Sequence, residues 1–297
     1  MSVKDVTSGS PDPVAQSPVG PGRVAVVTGA ASGIGLGLAE RFAAEGMRVV
    51  MADVEEPALS RAAAGLAGTG ASVLPVVTDV SDRAAVEALR EAALSAFGAV
   101  HVVCNNAGVG GGHGPLWECP PGEWDWVLGV NLDGVMNGVR TFMPVLLEQD
   151  AGHLLNTSSI FGAFAGTLGP YGVSKHAVTA LTETLSFNLR SLGVTHVGVS
   201  VLCPGAVRTN FGTSSRNRPA SAGLAPVSDE AGQAAAERFS QLSALGASPA
   251  EVAALVVDGI RARRFYILTA DNRNDAVLRR GAEIVAGGPP EPPVSFA

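Results

Sequence analysis

Lysine and tyrosine are nearly missing from this chain of 297 residues: each occurs twice, Lys4 and Lys175, Tyr171 and Tyr266, against eighteen arginines. Cysteine is scarce as well. Cys104, Cys119 and Cys203 are odd in number and scattered, which excludes a disulfide framework and suits small apolar residues in a reducing compartment. No C-x-x-C or H-E-x-x-H spacing points to a metal, so none is expected. Aromatic residues make up only 5% of a chain that is 46% apolar, so the core must be built from Ala, Val, Leu and Gly. Positive charge is in deficit. A net charge of −7 argues against nucleic acid or an anionic membrane as the main partner. No apolar run reaches the length needed to span a bilayer, and the Ser/Pro/Gly-rich residues 1–22 lack the apolar region of a signal peptide. These residues read as a disordered leader, and the protein as soluble and cytoplasmic.

From Arg23 onward, short β-branched runs alternate with longer Ala/Leu-rich stretches. Val24–Thr28, Arg48–Asp53, Val73–Thr78, Val100–Cys104, Leu154–Ser158, Val197–Leu202 and Phe265–Thr269 read as strands. Gly33–Glu45, Pro57–Ala67, Arg83–Phe97, Trp124–Leu147, Tyr171–Leu192 and Pro249–Arg263 read as helices. That alternation predicts a parallel sheet with helices on both faces. Residues 23–270 then form one domain, 208–246 a substrate lid with a helix near 229–242, and 271–297 a C-terminal tail that begins as a charged helix.

The segment VAVVTGAASGIG, Val24–Gly35, sets three glycines between the first strand and the first helix. Gly29 permits the tight turn, Gly33 lets backbone approach a pyrophosphate, and Gly35 allows close helix packing; the helix N-terminus attracts phosphate. Ser32 and Ile34 complete the loop. Asp53, at the end of the second strand, can accept hydrogen bonds from adenosine ribose hydroxyls and would repel a 2′-phosphate. Ser32 brings no cation for that phosphate. The expected cofactor is therefore NAD rather than NADP.

Tyr171 and Lys175 are four residues apart at the start of a predicted helix, which puts phenol and ammonium on one face. If composition alone governed placement, one of two lysines would fall there with a probability of about 1%. A tyrosine of ordinary pKa near ~10 is a poor base at neutral pH, and a neighbouring Lys⁺ favours its phenolate. Tyr171 could then exchange a proton with an alcohol or ketone.

With these residues in view, the chain resembles the short-chain dehydrogenase/reductase family from about Arg23 to Thr269. Thr28–Gly35 is similar to the family's TGxxxGxG loop, Asp79-Val80 to its adenine-contacting pair, Asn105–Gly108 to its NNAG segment, and Tyr171–Lys175 to its YxxxK signature. The resemblance implies a Rossmann-like doubly wound sheet of about seven strands and a hydride transfer between NAD(H) and a secondary alcohol/ketone pair. It implies cofactor contacts from Asn106, Ala107, Gly108, Tyr171, Lys175, Pro204, Gly205, Val207 and Thr209. It further implies Asn131 as the asparagine that holds a relay water against the lysine, and a serine that orients the substrate oxygen. Two rules of spacing disagree on that serine. Counting back from Gly162 selects Ser159, which is preferred; counting back from Tyr171 selects Ser158. The family's usual assembly implies a homodimer or homotetramer through Trp124–Leu147 and Tyr171–Leu192. A non-catalytic nucleotide-sensing scaffold on the same fold is the alternative, and turnover on an alcohol and ketone panel separates the two. A methyltransferase also has a Gly-rich loop and a strand-end acid, but it leaves Tyr171, Lys175 and Asn106 without a task.

Overall fold

Seven short runs of Val, Leu and Ala form seven parallel strands in a computed structural model that describes residues 16–111, 115–166, 168–219, 241, 243–269 and 274–290. The strands are β1 Val24–Thr28, β2 Arg48–Asp53, β3 Val73–Val77, β4 Val102–Asn105, β5 Gly152–Thr157, β6 Val197–Cys203 and β7 Tyr266–Leu268. Their order across the sheet is β3-β2-β1-β4-β5-β6-β7. β1 pairs in parallel with both β2 and β4, so the winding reverses beside β1 and opens a crevice at the strands' carboxyl ends. Every residue of β1, β4 and β5 is buried, as central strands covered on both faces must be.

Helices cover the two faces: α1 Gly33–Ala44, α2 Glu56–Ala67, α3 Arg83–Phe97, α4 Pro121–Leu128, α5 Gly134–Leu147, α6 Gly169–Ser191, α7 Pro249–Arg261 and α8 Asn274–Ala286. One core cluster joins β1 and β2 to Leu38 and Phe42 of α1 and Val252, Val256 and Ile260 of α7. The other lies across the sheet, with Val86 and Leu89 of α3, Phe142 and Leu146 of α5, and Leu189 of α6. α7 opens with a full capping box, in which Ser248 Oγ accepts the Glu251 N–H and the Glu251 carboxylate accepts the Ser248 N–H.

Two expectations need correction. The predicted helix over Trp124–Leu147 is interrupted by a π-helical turn at Gly129–Asp133, which divides it into α4 and α5. The predicted leader does not stay loose throughout. Val19 is buried in the first core cluster, and the Gly22 N–H bonds to the Gly46 carbonyl, so the chain is held at these two points; 1–15 lie outside the described residues. The helix expected near 229–242 also falls almost wholly outside them. No helix among the described residues is long and apolar enough to cross a membrane.

Candidate active site

The crevice beside β1 is floored by two loops pressed backbone to backbone. Gly29 and Gly33 adopt φ of +66° and +55°, the left-handed region that side chains resist. A Cβ on Gly35 would lie 2.1 Å from the Gly29 carbonyl oxygen and 2.7 Å from Asn106 Nδ2. Thr28, at the end of β1, fastens the second loop: its Oγ1 accepts the N–H groups of Asn106 at 2.9 Å and Ala107 at 3.0 Å. Asn106 Nδ2 returns a bond to the Thr28 carbonyl at 3.0 Å. Thr28 was not among the predicted site residues. Its signal was weak, since a hydroxyl at a strand end is common.

Asp53 is half-buried at the end of β2 and tied to both sides of its turn. Its Oδ2 accepts the Ala31 N–H at 2.9 Å and its Oδ1 the Glu55 N–H at 3.0 Å, and each oxygen has capacity to accept a further bond. Ser32 precedes α1 in extended conformation without a side-chain cap, and Ile34 packs on the core beneath. The glycine loop can thus offer its helix N-terminus to a phosphate, and the cradle fits a dinucleotide. Asp79 is held in its own turn by the Ser81 N–H and hydroxyl, at 2.9 and 2.7 Å. Val80 is buried against Gly134 of α5. On the far side, the Pro204 carbonyl accepts the Ile160 N–H at 2.9 Å, and the Gly205 N–H donates to Thr269 Oγ1 at 3.0 Å. Val207 is buried and bridges to Ala247, which sets Thr209 against Gly33, where an added Cβ would sit 3.0 Å from Thr209 Cγ2.

Tyr171 lies in the first turn of α6 and Lys175 one turn on. The Lys175 ammonium is buried, donates to the Thr157 carbonyl at 2.9 Å and stands 5.7 Å from the Tyr171 ring centroid. Burial pulls its pKa down to about 8. Burial also pushes the Tyr171 phenol up to about 12, while a hydrogen bond with Ser159 acts in the opposite direction. The structure therefore brings Ser159 to Tyr171. Ser158 faces away: its hydroxyl bonds to the Lys175 carbonyl and Thr179 Oγ1, both at 2.8 Å, and welds β5 to α6.

Asn131 has no solvent exposure and sits in the π-helical turn. Its Oδ1 accepts the Val109 N–H at 2.8 Å, and its Nδ2 donates to the Val109 carbonyl at 2.9 Å and Ser174 Oγ at 3.1 Å. The amide thus clamps the loop after β4. Around Tyr171 the walls are apolar. Phe211 stands 5.4 Å from its ring, and Phe161, Phe164 and Leu168 pack beside it with Ala276 and Val277 of α8. Phe211 belongs to the expected lid and α8 to the expected C-terminal helix, but no motif in the sequence joined either to Tyr171. Among the described residues, no group of three or more His, Cys, Asp or Glu could hold a metal ion.

A sheet wound in this order, a glycine cradle at its reversal and a Tyr/Lys pair beside a serine define a dinucleotide-dependent oxidoreductase. The short chain dehydrogenase family model matches residues 23–220, and the chain belongs to that family. It is 40% identical over 260 residues to the 1-deoxy-11-beta-hydroxypentalenate dehydrogenase of Streptomyces exfoliatus, covering 86% of this chain and 85% of the relative. It is 34% identical over 250 residues to a C alpha-dehydrogenase of a Sphingobium species, covering 83% and 80%. Among solved structures, a short chain dehydrogenase/reductase from Burkholderia phymatum in complex with NAD superposes with a TM-score of 0.90 at 43% identity, over 94% of this chain and 99% of that one.

Proposed function

We propose that this protein oxidises or forms a secondary alcohol at the expense of NAD(H), with Tyr171 as the general acid/base. One observation supports the reading: Tyr171 has a hydrogen bond with Ser159 and the buried Lys175 ammonium 5.7 Å from its ring centroid. NAD supplies the hydride acceptor, and NADH the donor in reverse. In the oxidative direction, Tyr171 takes the hydroxyl proton as the C–H pair leaves as hydride, and a ketone remains. Ser159 donates a hydrogen bond to the substrate oxygen, where negative charge develops. Asn131 acts one step back, by holding the Val109 loop against Gly108 and Lys175.

Burial raises the Tyr171 phenol, so its ionisation at neutral pH depends on nearby positive charge. Lys175 and the N-terminus of α6 favour the phenolate, and an oxidised nicotinamide would add positive charge when bound. Lys175, at about 8, is mostly charged at neutral pH and can serve. The pairing of Asp53 with the loop N–H groups keeps a carboxylate at the ribose end, which favours NAD over NADP. A comparison of kcat/KM for the two cofactors tests that choice, and a preference for NADP would refute the role of Asp53.

The substrate is bulky and apolar. Tyr171 meets Phe211 and packs against a cluster of Ile160, Phe161 and Phe164 that Leu168 and Val277 also join, and the relatives named for a hydroxypentalenate fit such a wall. The decisive variant is Tyr171→Phe, which should lose turnover by at least about a thousandfold while binding NADH as the wild type does. Undiminished turnover by Tyr171→Phe would sink the assignment. Self-association through α6 completes the proposal.

A further inference from the structure

Between Thr209 and Arg218 the chain crosses the carboxyl edge of the sheet as a strap, built around the 3-10 segment Phe211–Asn217. It touches the crevice at five points. Thr209 lies against Gly33, Phe211 against Tyr171, and Ser214 Oγ accepts the Gly110 N–H at 2.9 Å. Arg216 and Asn217 then reach Glu55, two residues beyond Asp53, and Arg218 reaches Glu123 of α4. The strap therefore runs above the cradle from the Tyr171 end to the ribose end.

Its two ion pairs are unequal. Arg218 meets Glu123 at 2.7 Å with side chains only 14% and 7% exposed, and its guanidinium lies 5.1 Å from the Trp126 ring centroid. Such a pair is shielded from salt and breaks at high cost. At the ribose end, Arg216 Nη2 and Nε meet the Glu55 carboxylate at 2.5 and 3.2 Å, and Asn217 Nδ2 adds a bond at 2.8 Å. Those charged side chains are 39% and 27% exposed, so this pair can open and reclose. Arg216 Nη1 meanwhile bonds to the Thr213 carbonyl and hydroxyl, both at 2.9 Å, and so carries the strap's own turn with it. Arg216 lowers the Glu55 pKa, so the carboxylate is charged across the neutral range.

We propose that Glu55 is a cofactor-retaining residue: through Arg216 and Asn217 it latches the strap over the dinucleotide, and unlatching sets the rate at which NADH leaves. The Glu123 end is the anchor and the Glu55 end the latch. The inference rests on the reading that the cradle holds NAD, and binding of NADH to the wild-type protein checks that reading separately.

The test is stopped-flow displacement of NADH, followed by its fluorescence, from wild type, Glu55→Gln and Arg216→Gln. Both variants should release NADH about 5- to 20-fold faster, with a matching rise in KM for NAD and an unchanged single-turnover hydride-transfer rate. The double variant E55R/R216E should bring release back toward the wild-type rate. Added salt should speed release from the wild type and leave Glu55→Gln nearly flat, because the partly exposed pair is screened. Release at the wild-type rate from both variants overturns the latch. An effect in Glu55→Gln alone also overturns it, since that marks a direct contact of Glu55 with the cofactor. A wild-type protein that binds no NADH removes the cofactor reading on which the latch depends.

Discussion

Lys175 occupies its pocket at a cost to the folded state. Its ammonium donates to the Thr157 carbonyl, and burial holds its pKa near 8 instead of 10.5. Between those values the unfolded chain binds more protons than the folded one, so this residue makes stability rise with pH from about 8 to about 10.5. Its penalty is fully present below 8. Tyr171 works in the opposite sense, because its folded pKa near 12 exceeds 10 and stability falls as pH climbs through that interval. Lys175→Met removes the buried charge at similar volume but leaves the Thr157 carbonyl without its donor. The balance should favour the variant by about 1–2 kcal/mol at pH 7, or roughly 2–6 °C in Tm, with the gain gone above pH ~10.5. The same protein should be catalytically dead. Thermal melts at pH 7 and 10.5 check both ends of the window, and a less stable Lys175→Met at pH 7 would contradict the burial argument.

The π-helical turn between α4 and α5 does for the site what an unbroken helix would not. It carries Asn131 inward to clamp both polar groups of Val109. Asn131→Ala leaves a buried N–H and a buried C=O unpaired and should cost about 2–4 kcal/mol, read from urea midpoints. Asn131→Asp can still accept the Val109 N–H but cannot donate to its carbonyl, so it should fall between. A loss below ~1 kcal/mol in Asn131→Ala would mean that water replaces the clamp. The interruption was not legible in the sequence, because Gly129–Asp133 keeps a helical pattern and its widening is settled by tertiary bonds. Strands were legible for the converse reason: runs such as Val24–Thr28, covered on both faces, must be apolar throughout. The cradle could be read from three local glycines, and Tyr171 with Lys175 from spacing. For the serine, two counting anchors differed by one residue; the structure adds that the Ser158 hydroxyl turns to the Lys175 carbonyl. Glu55 and Arg216 stand 161 residues apart, and no local pattern joins them.

At the scale of the whole molecule, a parallel sheet covered on both faces leaves its unspent apolar surface on the outer sides of helices. α6 is the clearest case. Val173, Ala177, Ala180, Thr184 and Phe187 recur every three or four residues along one stripe of its 23 residues, with no charge among them, and Val173 and Phe187 are 47% and 58% exposed. A stripe of small residues lets a second helix approach closely, and a helix meeting its own copy about a two-fold axis presents the same stripe twice. A net charge of −7 on each chain opposes association, so any dimer must be held by apolar contact of this kind rather than by charge. Ala180 sits at the middle of the stripe and faces outward, where a long cationic side chain would do a lone protomer little harm. Ala180→Arg should therefore leave the fold and its circular dichroism intact and lower the mass seen by light scattering to that of one chain at micromolar concentration. Tm should fall with it and become independent of protein concentration, because the linkage to association is gone. A wild-type protein that already scatters as a single chain, or an Ala180→Arg protein of undiminished mass, would show that α6 does not make the contact.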